Sequence, residues 1–220
     1  MSSNNLASAL VTLVGVLSIY HSHRIAFRLR RIYSLIDEIN SQDPRDPPIE
    51  LEYGKRMTRV LERYDPNAQD TVKIACRAQH IARWRIPRTN FPEGKVGYLN
   101  WRKSLYALHS EIIRNLLDKA GGFSSEEITK IGELVGKEWD FKNENDPDAH
   151  AVEDVAALVF LEFYFPAFTD KLNQKDKIVD IVRKTWRKMS EKGKQQALNL
   201  NLPPAQLEIV VQAINSGDST

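Results

Sequence analysis

Apolar residues recur every three or four positions along most of this chain, and we find no convincing strand-like alternation. This spacing places apolar side chains on one side of a helix. A capping-box pattern opens a further helix at Ser124 or Ser125. The pattern predicts an all-α fold, a single-domain helical bundle. The other predicted helices span residues 25–40, 51–64, 69–84, 98–120, 147–163, 175–190 and 204–214.

Three of these helices carry an ionisable side chain on their apolar face, namely His80, His109 and Asp154. Burying such a group costs on the order of several kcal/mol unless it finds a partner. We therefore expect the three side chains to converge, because one cluster can satisfy all of them. Imidazole and carboxylate together suit one divalent transition metal ion, such as iron, manganese, zinc or nickel. The alternative is a hydrogen-bonded cluster that binds no metal.

Further polar residues complete the predicted site. In an enzyme, Glu111 or Glu153 would orient or deprotonate a water molecule. The substrate would be a small anion held by Arg77, Arg88 and Arg102, because a guanidinium group can bond two oxygens at once. The alternative for these arginines is a solvated helix face or a surface ion pair.

Charge and cysteine content narrow the classes of partner. The chain has 31 basic and 29 acidic residues, a net charge of +2, which is too balanced to predict specific nucleic-acid binding. The basic run Arg183–Lys188 is expected to be a solvated helix face. The single cysteine, Cys76, excludes an internal disulfide framework and fits a reducing compartment. We expect Cys76 to be a core residue and not a nucleophile.

The N-terminus differs from the rest of the chain. Leu6–Tyr20 is almost continuously apolar, yet shorter than the roughly 20 residues that span a bilayer. Four arginines follow it before the first acidic residue, Asp37. A membrane anchor, an organelle-targeting segment and an extra helix that packs or frays all remain open, and so do localisation and oligomeric state. We divide the chain into an extension (1–26), a helical domain (27–216) and a tail (217–220).

Three segments resemble the metal-binding helices of HD-type phosphohydrolases: ACRAQHIARW (75–84), LHSEIIRNLL (108–117) and VEDVAALVFL (152–161). The resemblance implies an HD-like bundle, with Asp154 at the last metal position and metal-dependent hydrolysis as the activity. The sequence departs from that pattern in three places. The neighbourhood of Lys137 lacks the paired histidines of two-metal members. Gln79–His80 replaces the usual His-Asp pair, and the first histidine, due near residues 55–58, is missing. A two-metal centre is therefore not expected.

Longer motifs cover more of the chain: ELEYGKRMTRVLERY, RAQHIARWRIPR, GYLNWR, EDVAALVFLEFYF and IVRKTWRKMS. Together they resemble a helical family, the domain-of-unknown-function family four-two-zero-two, over residues 31–214. This resemblance implies no particular activity. Two functions follow from the sequence as alternatives. One is a metal-dependent hydrolase of a small phosphorylated or anionic compound. The other is a non-catalytic ligand- or protein-binding module on a degenerate HD-like scaffold.

Overall fold

The computed structural model describes residues 26–139, 146–171 and 174–215. Within these ranges all regular elements are helical, which confirms the predicted all-α fold. The helices are α1 (26–40), α2 (Ile49–Tyr64), α3 (Asp70–Ala78), α4 (Gly94–Ala120), α5 (Ser125–Gly136), α6 (Pro147–Val159), α7 (Phe165–Lys171), α8 (Lys175–Trp186), α9 (Glu191–Leu198) and α10 (Pro204–Asn215).

The short helix α3 lies at the centre of the bundle and packs on α2, α5 and α6. Ile74 of α3, Ile113 of α4, Leu134 of α5 and Val155 of α6 are fully or almost fully buried in the core between these helices. Removing apolar surface from water contributes about 25 cal/mol per Å², and this burial is the main force that holds the helices together. Helix α4 packs along α5, α9 packs on α6, and α8 packs on α10.

Several predicted helix boundaries are confirmed. The Ser124 side chain accepts the Glu127 backbone N–H, and the Glu127 side chain accepts the Ser124 backbone N–H, so the capping box opens α5. Helix α4 ends at Gly121, which has a φ of 67° that glycine adopts without strain. Helix α4 begins at Gly94, earlier than the predicted start at residue 98.

The predicted helix over residues 69–84 is wrong beyond Ala78, where α3 ends. His80 and Ala82 both have left-handed backbone conformations, with φ of 64° and 54°. The backbone groups of this segment find partners outside a helix, because the Asn40 side chain accepts the Ala82 N–H at 3.0 Å. His80 therefore lies in a loop after α3 and not on the apolar face of a helix.

The C-terminal third of the bundle also differs from the prediction. Helix α8 ends at Trp186 instead of residue 190, and Ser190 caps the unpredicted helix α9 by accepting the Gly193 N–H. Helix α6 passes directly into a wider helical turn, Phe160–Tyr164, and then into α7. Position 190 thus starts a helix instead of ending one.

No helix in the part of the chain that the structure describes is long and apolar enough to cross a membrane. The apolar run Leu6–Tyr20 lies outside the described residues, as do the predicted tail and almost all of the predicted extension.

Candidate functional site

A cavity of about 490 Å³ lies between the central helices and the segment that joins α8 to α9. Its walls come from α2, the loop after α3, α4, the end of α5, α6 and α8, so distant parts of the sequence meet there. Its polar lining consists mainly of basic, phenolic and imidazole side chains: Arg83, Arg102, Lys137, Lys184, Lys188, Tyr53, Tyr98, Tyr106, His80 and His109.

The cavity has a positive charge excess. Five basic side chains line it, whereas Glu153 is the one acidic residue among the described lining residues. The Lys137 ammonium group contacts the Glu153 carboxylate. Lys184 also forms an ion pair, with Asp180, which does not line the cavity. Basic side chains still outnumber acidic ones in the cavity wall. Such a concentration of one charge in a concave site attracts anions.

His80 is held between an aromatic ring and a carboxylate. Its imidazole stacks on the Tyr53 ring, with centroids 4.1 Å apart and planes at 15°, and its Nδ1 lies 3.5 Å from Glu50 Oε2. Burial lowers the pKa of His80 to about 4, although Glu50 opposes this shift. The ring is therefore neutral at pH 7, with Nδ1 facing the carboxylate as the donating nitrogen.

Glu50 lies beneath His80 and is itself buried. Arg45 donates to Glu50 Oε1 at 2.8 Å and also to the buried carboxylate of Asp43. Burial alone would raise the pKa of Glu50, but the hydrogen bonds from His80 and Arg45 hold that pKa below its ordinary value. Glu50 is thus a charged group that orients His80 from outside the cavity.

His109 lines the cavity from α4, and only 2% of its surface is exposed. Its Nδ1 lies 2.7 Å from the carbonyl oxygen of Ile81, and a carbonyl oxygen can only accept, so Nδ1 is the protonated nitrogen. Burial, together with His80, lowers the pKa of His109 to about 3, so this ring is also neutral. Its Nε2 is buried and has no hydrogen-bond partner among the described residues.

Lys137 and Arg102 form one basic wall of the cavity. Lys137 is the C-cap residue of α5 and has a left-handed φ of 52°. Its ammonium group contacts the Glu153 carboxylate. Burial and the positive charges of Arg102 and Lys188 lower the pKa of Lys137 to about 7. Arg102 donates to the Tyr106 hydroxyl, and its guanidinium carbon lies 5.8 Å from the centre of the Tyr98 ring.

The structure brings together two of the three residues that were predicted to converge. The rings of His80 and His109 are 6.3 Å apart, and both line the cavity. Asp154 is fully buried, but its carboxylate accepts from the Tyr64 hydroxyl at 2.8 Å, from the Ser190 N–H at 2.9 Å and from the Ser190 hydroxyl. Within the described ranges, no three His, Cys, Asp or Glu side chains form a group that could hold a metal ion.

Of the other predicted site residues, two line the cavity and three do not. Arg102 and Glu153 line the cavity. Arg77 pairs with Asp37 outside the cavity, at 2.8 Å between Nε and Oδ1. Arg88 donates to the carbonyl oxygens of residues 91 and 92 and so braces its own loop. Glu111 is exposed on α4 and is not part of the cavity wall.

Sequence reasoning missed several residues of the cavity. Tyr53 and Lys137 carry no local signal, because their positions depend on how α2 and α5 pack. Arg83 lies in the basic segment around His80, and this proximity was a usable signal. Lys184 and Lys188 are exposed, as expected of a solvated face, yet both line the cavity. Cys76 is buried in the core as predicted, and burial raises the pKa of its thiol.

Residues 30–210 match the model of a family described as a domain of unknown function, DUF4202. No curated protein and no solved structure matches the chain. The expected likeness to HD phosphohydrolases gains no support from these comparisons.

Proposed function

The chain belongs to the DUF4202 family, and we propose that it binds a small phosphorylated or otherwise anionic compound in the cavity. The observation that carries this proposal is the charge of the cavity wall, where five basic side chains meet one carboxylate that is already in contact with Lys137. An anion in the cavity would offset the repulsion among these cations.

The arginines suit oxyanions in particular. Arg83 and Arg102 present planar guanidinium groups that bond two oxygens of a phosphate or carboxylate at once. Burial lowers the pKa of Arg83, so its charge is held in the cavity wall at a cost. A bound anion would stabilise the charged form of Arg83 and so offset the free-energy cost of burying it, which supports a ligand-binding role for the basic residues of the cavity.

The aromatic lining indicates that the ligand is larger than a bare ion. Tyr53, Tyr106 and Phe160 line the cavity beside the cations. Ligand sites commonly combine apolar and aromatic walls with a few polar groups that fix orientation. We therefore propose a compound with an anionic group and an organic part that lies against these rings.

Binding of an anionic compound is common to the hydrolase and to the ligand-binding form of the non-catalytic alternative. A metal-dependent hydrolase would need the predicted ligands His80, His109 and Asp154 around one ion. All three hydrogen bonds of the Asp154 carboxylate run to Tyr64 and Ser190, so the cavity does not fit that three-ligand centre. We accordingly propose binding without a metal-dependent step, on the non-catalytic alternative.

A titration tests the proposal. We expect purified protein to bind orthophosphate and phosphomonoesters in isothermal titration calorimetry, and Arg102→Gln to weaken this binding about tenfold. Lys103→Gln is the matched control, because Lys103 is the exposed basic neighbour on the same helix and does not line the cavity. The proposal fails if no phosphorylated compound binds at millimolar concentration, or if the two variants weaken binding equally.

A further inference from the structure

We infer that the bound compound carries a hydroxyl group beside its anionic group, and that Nε2 of His109 accepts the hydrogen bond from that hydroxyl. The ligand class is therefore a hydroxylated phosphate ester, such as a polyol or sugar phosphate. This inference rests on the proposed function, since it assumes that an anion occupies the cavity, and it adds what the organic part of the ligand must offer.

The first step is the tautomer of His109. Its Nδ1 donates to the Ile81 carbonyl oxygen at 2.7 Å, so in the neutral ring Nε2 bears a lone pair and no proton. Nε2 is buried without a partner among the described residues, in a side chain that lines the cavity. The neighbouring His80 does not supply one, because the ring centroids are 6.3 Å apart. Nε2 is thus an acceptor in need of a donor.

The second step is the rigidity of this arrangement. Ile81 lies between His80 and Ala82, both left-handed, a conformation that costs a non-glycine residue free energy. Asn40, which is fully buried, accepts the Ala82 N–H and holds the loop in place. The Ile81 carbonyl is therefore fixed, and with it the direction of the imidazole. Strain that persists beside a cavity is typical of a preorganised site.

The third step identifies the donor. The oxygens of a phosphate ester dianion are acceptors and cannot donate to Nε2. An ammonium group could donate, but five basic side chains line the same cavity and would repel it. A neutral hydroxyl meets both conditions, because it donates a hydrogen bond and adds no positive charge. A buried acceptor left unpaired by a ligand that lacks the hydroxyl makes that ligand bind less tightly.

The experiment compares three probes by isothermal titration calorimetry: orthophosphate, glycerol 3-phosphate and propyl phosphate. The two esters share a three-carbon chain, and only the first has hydroxyl groups. We expect glycerol 3-phosphate to bind roughly tenfold more tightly than propyl phosphate, the ratio that an unpaired buried acceptor typically produces.

Two variants of His109 isolate the role of Nε2. In His109→Asn the side-chain amide nitrogen takes the place of Nδ1 and can still donate to Ile81, but no atom replaces Nε2. In His109→Gln the amide reaches the Nε2 position and can present an oxygen acceptor. We expect the preference for glycerol 3-phosphate over propyl phosphate to vanish in His109→Asn and to survive in part in His109→Gln.

The outcomes separate this inference from the proposed function. Binding of orthophosphate with equal affinity for the two esters overturns the inference and leaves anion binding intact. A preference that survives fully in His109→Asn also overturns it. If none of the three probes binds, anion binding is wrong and the inference falls with it. Should His109→Asn fail to fold, the comparison of the two esters on the unaltered protein still decides the question.

Discussion

The carboxylate of Asp154 accepts both the backbone N–H and the hydroxyl of Ser190, 36 residues further along the chain. This pair connects α6 to the N-cap residue of α9, and the Tyr64 hydroxyl adds a third hydrogen bond from α2. Lys188 and Met189, just before Ser190, line the cavity. Asp154 thus does not line the cavity, but through Ser190 it fixes the position of the adjacent lining residues Lys188 and Met189.

Removal of this charge should cost stability. We expect Asp154→Asn to lower the free energy of unfolding by about 1–3 kcal/mol, because an amide nitrogen in place of Oδ2 cannot accept from the Tyr64 and Ser190 hydroxyls. Urea denaturation followed by circular dichroism measures this. Asp118→Asn, an exposed aspartate on α4, is the control and should change stability by less than about 0.5 kcal/mol. Equal losses in the two variants would contradict the assigned role of Asp154.

The same variant tests the metal ion that the sequence predicted on His80, His109 and Asp154. We expect Asp154→Asn to leave any uptake of Zn²⁺ unchanged, because its carboxylate is bonded to Tyr64 and Ser190. Elemental analysis of both proteins after incubation with Zn²⁺ and desalting gives the metal content. Stoichiometric metal in the unaltered protein that is lost in the variant would restore the three-ligand centre.

Gly193 should resist substitution although it lies within a helix. An added Cβ would lie 2.4 Å from Cγ of Asp154, closer than van der Waals contact allows. In Gly193→Ala the cost of overpacking, about 1–3 kcal/mol, should exceed the roughly 1 kcal/mol that alanine adds to helix stability. We expect a lower Tm by calorimetry. Gln195→Ala, at an exposed position of the same helix, should leave Tm nearly unchanged.

The buried imidazole of His109 should make stability depend on pH. The pKa of this side chain is about 3 in the folded protein, whereas an ordinary histidine, as in the unfolded chain, has a pKa of 6.5. Between pH 3 and pH 6.5 the unfolded chain therefore binds a proton that the folded chain does not. Stability should therefore fall as pH decreases below about 6.5. In urea denaturation between pH 5.0 and 6.0, His109→Asn should show a slope smaller by about 1.4 kcal/mol per pH unit. Identical slopes would indicate that His109 is charged in the folded state.

Lys137 should make anion binding depend on pH in the opposite sense. Its pKa is lowered to about 7 by burial, Arg102 and Lys188, so the ammonium group loses its proton as pH rises above 7. We expect affinity for sulfate, whose charge is constant in this range, to fall between pH 7 and 9. Lys137→Gln should remove most of this dependence. The fall would persist in Lys137→Gln if other groups were responsible.

Local sequence determines most of the helices. The capping box Ser124–Glu127 and the glycine after α4 are read within a few residues, because a helix satisfies its backbone groups locally. The burial of His109 and Asp154 also follows from their phase on the helices. The family is likewise visible in the motifs of the sequence alone.

Tertiary structure decides what those buried groups face. Helix α3 ends at Ala78 because Ala82 and Ile81 find partners in Asn40 and His109, which lie 42 and 28 residues away in the chain. Asp154 likewise faces Ser190 instead of the histidines, because the packing of α9 on α6 brings Ser190 to its carboxylate. Helical phase fixes the side on which a residue lies, but its partner is set by the packing of other helices. The sequence by itself therefore determined the all-helical fold and which ionisable groups are buried. Only the tertiary structure decided which of these groups meet at the cavity, because their contacts join residues that are far apart in the chain and local sequence patterns do not specify such pairs.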